Sequence, residues 1–103
     1  MAKGFVANNY NNLGLDALFE GNYELALHYF NKALSIDPNL VGVIYNRGNL
    51  YSALHEWDKA IADYNLAIEL NPQYYEAYIH RGIVYLEQKQ DALAAIALLY
   101  QSN

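Results

Sequence analysis

Gly14, Gly48 and Gly82 stand 34 residues apart, and Ala26, Ala60 and Ala94 repeat the same interval. Pro38 and Pro72 keep the period as well. A chain that returns glycine, alanine and proline in one order at one spacing is a small unit written three times, and a repeat of this length dictates architecture ahead of any other feature. The next proline of the series would fall beyond Asn103, so the third copy is expected to be incomplete.

The boundaries of the unit have physical causes. A residue before proline is driven out of the α region, so Asp37-Pro38 and Asn71-Pro72 are stops for helices. Gly21-Asn22 reads as a tight turn, and His55-Glu56 and Lys89-Gln90 stand in the same place without glycine. These signals predict two helices per copy, over 8–20 and 23–36, 41–54 and 57–70, 75–88 and 91–102. Within a pair, the glycine leaves no side chain where the partner helix crosses, and the partner offers Ala26, Ala60 or Ala94. Ala60, Tyr64 and Ala67 share one helical face, the aromatic filling the space beside two small residues. Most of the 11 tyrosines are therefore expected to pack between helices, as is Trp57, which stands where copy one has Tyr23.

Composition narrows the function classes. At 103 residues the chain is expected to be a single domain, 1–103. A hydrophobic content of 54% against 17% charged excludes a disordered tail. No apolar run approaches the ~20 residues that span a bilayer, and Met1-Ala-Lys-Gly lacks the apolar stretch of a signal peptide. A cytoplasmic location is the expectation. Without cysteine there is no disulfide or thiolate chemistry. The net charge is −5 and the six lysines and arginines are dispersed, so neither nucleic acid nor a membrane surface is an expected partner. His28, His55 and His80 fall at different points of the repeat, and no phosphate loop or nucleophile triad can be assembled. The expectation is no metal, no cofactor and no catalysis.

Arg47 and Arg81 stand where copy one has Leu13, and an arginine on a packed face needs a partner. Asp63 on the facing helix suits Arg47. The position equivalent to Asp63 in copy three is Ala97, or Leu98 if one residue is inserted near Lys89, which sends Arg81 elsewhere, back to Asp63 being one choice. The carboxylates of the second helices, Asp58, Asp63 and Glu69, are otherwise expected on the solvated outer face.

Taken together the repeating positions have a family likeness. Copy one reads Tyr10-x2-Leu13-Gly14-x2-Ala17, then Ala26-x3-Phe30, Ala33 and Pro38; copy two reads Ile44-x2-Arg47-Gly48-x2-Tyr51, then Ala60-x3-Tyr64, Ala67 and Pro72. Copy three opens with Tyr78-x2-Arg81-Gly82-x2-Tyr85 and continues either as Ala94-x3-Leu98 or, with one residue inserted near Lys89, as Ala95-x3-Leu99 and Ser102. The pattern resembles the tetratricopeptide repeat family. The resemblance implies an all-α fold, a right-handed helical solenoid of three helix-turn-helix repeats at about 7–40, 41–74 and 75–103, the third incomplete.

It also implies a protein or peptide ligand, held in a concave groove lined by the first helix of each pair. Asn11, Asn12 and Leu15, then Tyr45, Asn46 and Asn49, then Ile79, His80 and Ile83 are the implied lining. Asn12 and Asn46 occupy one position in successive repeats, where family members carry asparagine ladders. An amide donates and accepts, so each can bond one peptide unit of a ligand whatever its side chain. The competing reading is that these asparagines bridge neighbouring helices. A better-known site of the family, a clamp for the acidic C-termini of chaperones, carries over to Asn11, Leu15, Asn46, Glu76 and His80. Only Asn46 survives, and Glu76 would repel a carboxylate, so a chaperone tail is not the expected ligand.

From Ala92 to Asn103 the chain carries no charge. A helix apolar all round is expected to be covered on more than one side. It is an excerpt's exposed end, a tail folded over the last repeat, or a self-association surface formed by Ile96, Leu98, Leu99 and Tyr100 that packs on the first repeat of a neighbour.

Overall fold

The computed structural model describes residues 2–101; Met1, Ser102 and Asn103 lie outside them, and with these the end of the last predicted helix. Five helices run α1 (Ala2–Phe19), α2 (Tyr23–Ile36), α3 (Val41–Ala53), α4 (Trp57–Leu70) and α5 (Tyr75–Gln101). No strand occurs among the described residues. The fold is all-α, antiparallel pairs α1/α2 and α3/α4 stacked side by side with α5 against the second pair.

The proline stops act as the residue chemistry demands. Asp37 and Asn71 leave the helix at nearly one conformation, φ −141°, ψ 105° and φ −142°, ψ 95°. Each closes the turn with its own side chain. Asp37 Oδ1 accepts from the Asn39 N–H at 3.0 Å and Asn71 Oδ1 from the Gln73 N–H at 3.1 Å.

The glycines meet the aromatics of the partner helices. A β-carbon added at Gly14 would sit 2.5 Å from the Phe30 ring, and one at Gly48 would sit 2.8 Å from Tyr64. Ala26, Phe30 and Ala33 are sealed from solvent, as are Ala60, Tyr64 and Ala67. Two cores result, one around Phe30 with Ala7, Val43 and Leu50, the other around Tyr64 with Ile44, Ala77 and Val84.

Two helix boundaries depart from expectation. α1 starts at Ala2, six residues early, because Ala7 belongs to the first core and the residues before it contain no proline to stop the helix. The larger departure is at the other end, where the predicted helices 75–88 and 91–102 are one helix of 27 residues with no turn at Lys89-Gln90. The turns of the first two copies place one residue in the left-handed region, Gly21 at φ 78° and His55 at φ 58°. The equivalent residue is Lys89. Glycine enters that region freely; any β-carbon there costs roughly 1–2 kcal/mol, and histidine is found there more often than lysine. The capping position decays in parallel. Asn22 accepts from the Leu25 N–H at 3.4 Å, Glu56 makes no side-chain cap, and copy three has Gln90. With neither a turn-forming residue nor a cap, the helix runs on.

The four tyrosines Tyr75, Tyr78, Tyr85 and Tyr100 are in consequence exposed, not packed between helices.

Candidate functional site

Three stripes of α5, each about a third of a turn from the next, have different surroundings. One carries Ala77, Arg81 and Val84 and packs on α3 and α4. A second carries Ile79, His80 and Ile83, with Ile79 and Ile83 open to solvent. It continues across α3 through Tyr45, Asn46 and Asn49 and across α1 through Asn11, Asn12 and Leu15. The third, with Tyr78, Gly82 and Tyr85, is uncovered.

Along the second stripe the residues are tied from one repeat to the next. Asn46 Nδ2 donates to Asn11 Oδ1 at 2.9 Å, and the Tyr45 hydroxyl lies 3.0 Å from His80 Nδ1. Both pairs are 35 residues apart, so the residue at one position of a repeat reaches the following position of the next. The bridging reading of Asn46 is thereby realised, but toward Asn11 and not toward Asn12, which is exposed. That bond uses one donor of Asn46 and one acceptor of Asn11, and leaves the Asn46 carbonyl and the Asn11 amino group outside it. His80 Nδ1 also lies 3.0 Å from the Glu76 carbonyl, which only accepts, so a protonated Nδ1 donates to its own helix and an unprotonated one accepts from the Tyr45 hydroxyl.

Asn49 serves the core. Its Oδ1 accepts from the hydroxyl of buried Tyr64. Burial pushes the Tyr64 phenol far above the ordinary value of 10.0, since a phenolate there would lose its hydration. Tyr74 is raised by the same cause. Leu15 and Tyr45 are half-buried, Leu15 against the first core and Tyr45 among Tyr64, Tyr74 and His80.

The Arg47 expectation is met in full. Its Nε and Nη2 donate to the two oxygens of Asp63, each at 2.8 Å, and Nη1 donates to Asn31 at 2.9 Å. The hydrogen bonding to Asp63 raises the arginine above its ordinary value, against the opposing effect of its own desolvation. Asp63 is 6% exposed, which corrects its placement on the solvated face; Asp58 and Glu69 do lie there. Arg81 does not turn back to Asp63, whose two oxygens both face Arg47. It donates to Asn65 at 2.7 Å and lies over the Tyr78 ring at 5.2 Å. Asn31 and Asn65 are 34 residues apart and hold the two arginines alike, a pairing the sequence carried and charge-matching alone overlooked.

Trp57 is half-buried, stacked on His55 with ring centroids 4.8 Å apart, and its Nε1 donates to Asp91 at 3.1 Å. The expected self-association residues Ile96, Leu98, Leu99 and Tyr100 are all exposed. Among the described residues no three histidine or acidic side chains gather as metal ligands, and no helix is long and apolar enough to cross a membrane.

Stacked antiparallel helix pairs, a small residue at each crossing and a row of polar and apolar side chains along the first helices define a helical-repeat interaction protein. The tetratricopeptide repeat profile matches residues 7–40 and 43–74, and the chain belongs to that family. DnaJ homolog subfamily C member 7 of Homo sapiens is 38% identical over 87% of this chain, and the Oryza sativa subsp. japonica protein SGT1 homolog is 33% identical over 82%. The chain spans 19% and 23% of their lengths. Among solved structures, the first tetratricopeptide domain of Spaghetti (RPAP3), bound to the HSP90 peptide SRMEEVD, is 28% identical. Its TM-score is 0.78, over 82% of this chain and 68% of that one. MamA is 25% identical with a TM-score of 0.77, over 81% of this chain and 48% of that one.

Proposed function

We propose that the chain is a non-catalytic interaction module whose groove holds an extended segment of a partner protein. The observation that carries this reading is the composition of the second stripe. Ile79 is 60% exposed and Ile83 is 42% exposed, at the α5 end of the stripe that carries the side-chain amides of Asn46 on α3 and of Asn11 and Asn12 on α1, and the Asn46–Asn11 bond uses only part of the hydrogen-bonding capacity of that pair. Apolar contact next to amides that both donate and accept suits a peptide backbone with apolar side chains at intervals.

The likeness to a domain that holds an HSP90 peptide extends to fold and repeat and lends no support to excluding such a ligand. The case against an acidic tail rests on this groove's own charges. Glu76 is exposed at one end, and no lysine or arginine stands among its lining positions. A ligand that is neutral or basic and carries aliphatic side chains is the better complement.

The test is capture from lysate by wild type and by an Asn12→Ala, Ile83→Glu variant. Both side chains are exposed and uninvolved in the cores, so the fold should survive. Partners captured by wild type and lost by the variant support the groove; equal capture by the two would remove it as the functional surface. In a parallel titration SRMEEVD should not bind, and saturable binding would overturn the exclusion of acidic tails.

A further inference from the structure

We propose that the groove is polarised, taking a neutral extended stretch along α1 and α3 and a pair of adjacent basic side chains, lysine or arginine, over α5, a specificity that rests on the groove being the ligand surface. The charge that sets it is confined to the third repeat. Glu76 stands where the earlier copies have Asn8 and Gly42, and Glu87 where they have Phe19 and Ala53. At about 100° per residue, Glu76, Ile79, His80, Ile83 and Glu87 fall within about 100° of the helix circumference. Both carboxylates therefore belong to the groove stripe and bracket its two exposed isoleucines.

The described residues offer these charges no counter-charge. The ion pairs among them are Arg47 with Asp63 and Lys59 with Glu56. Arg81 is engaged by Asn65 and the Tyr78 ring. No lysine or arginine stands three or four residues from Glu76 or Glu87, the spacing at which a pair within the helix would form. The field of the two carboxylates reaches the aromatic side chains nearby. Burial is the main cause of the raised pKa values of Tyr74 and Tyr64; Glu76 adds to the rise at Tyr74, and Glu87, after Tyr45, adds to it at Tyr64. Tyr45 of the groove stripe touches both rings, with centroids 5.3 Å from Tyr74 and 6.0 Å from Tyr64. Carboxylates beside aliphatic and aromatic side chains suit a cation on an aliphatic stem, its methylenes on Ile79 and Ile83 and its charge at a glutamate. The net charge of −5 favours encounter with the same class of ligand.

The dimensions admit one basic residue for each carboxylate. Neighbouring packed helices lie about 8–10 Å apart, so a strand crossing from α1 to α5 covers about 20 Å, or about six residues at about 3.3 Å each. Crossing α5 between Ile79 and Ile83, it passes about 8 Å along the helix from either glutamate, within the combined reach of the two side chains. Successive side chains of an extended strand leave on opposite sides, so two adjacent basic residues reach the two carboxylates.

The test is selection from an immobilised octapeptide library randomised over all residues but cysteine. It compares wild type, a Glu76→Gln, Glu87→Gln variant, and a groove variant that keeps both carboxylates, Asn12→Ala, Ile79→Ser, Ile83→Ser. Wild type is expected to enrich peptides with two adjacent lysines or arginines at one end and neutral residues over the rest. The glutamine variant should retain the neutral part and lose the basic end. For a peptide selected by wild type, each lost pair should weaken binding about two- to fivefold at low salt, a difference that shrinks as salt rises. A Glu76→Lys, Glu87→Lys variant should enrich acidic ends instead. Peptides that wild type enriches without a basic end, or a basic end that persists in the glutamine variant, overturn the polarity; if the groove variant loses those peptides, the groove reading stands. Enrichment unchanged in the groove variant, or none by wild type, removes the groove as the ligand surface and the polarity with it.

Discussion

Tyr64 concentrates the constraints of the second repeat. Its ring covers Gly48, its hydroxyl donates to Asn49, and none of its surface reaches solvent. A methyl group at residue 48 would need the ring to move, and the hydroxyl's tether resists that. Gly48→Ala is therefore expected to destabilise the chain by about 1–3 kcal/mol in chemical denaturation, a typical overpacking cost. The phenol also makes stability depend on pH. Its folded pKa is raised above the ordinary 10.0, so the folded chain keeps a proton that the unfolded chain releases. The contribution is complete below pH 10.0 and is lost as pH rises beyond it. Denaturation midpoints measured through the alkaline range should fall, and Tyr64→Phe should flatten that fall while leaving the remaining decline to Tyr74. An unchanged slope in Tyr64→Phe would show that another group governs it.

Between elements, the repeats are joined by arginines of unequal strength. Arg47 reaches both oxygens of a 6% exposed aspartate, whereas Arg81 has an exposed asparagine. Asp63→Ala leaves a half-buried guanidinium without its counter-charge, and a loss of about 3 kcal/mol is expected. Asn65→Ala should cost no more than about 1 kcal/mol, as a single exposed hydrogen bond would. Equal losses in urea titrations would mean that the bidentate pair is no stronger a link than the single bond. The arginine–aspartate pair was legible because an arginine in a packed position demands an anion. The Asn31 and Asn65 contacts were not, because asparagine carries no charge to draw attention to its periodic spacing. Helix stops were legible wherever proline enforced them. The continuity of α5 escaped because the 34-residue period holds through Ala94 while the turn depends on the left-handed propensity of one residue, which falls from Gly21 to His55 to Lys89. In the groove, residue types and period located the stripe, but internal bonding could not be read from them. Asn46 looks equivalent to Asn12 in sequence and bonds Asn11 in space.

For the molecule as a whole, a repeat array distributes stability along one dimension, each unit sealed only by its neighbours. The extents of 62 × 30 × 17 Å reflect that, with α5 alone contributing about 40 Å of helix. α3 and α4 have packed helices on both sides and hold Ile44, Leu50, Ala60 and Tyr64 at 0% exposure. Every residue from 89 to 101 is exposed. Local opening follows buried contact, so amide hydrogen exchange of the dilute chain should be slowest in α3 and α4, intermediate in α2 and fastest in 92–101. A groove ligand should change that order in one direction only, slowing exchange in α1, α3 and the first half of α5, the helices that carry Asn11, Asn46 and Ile83, while α2 and α4 keep their rates. Slowing confined to α2 and α4 would place the ligand on the opposite face of the array.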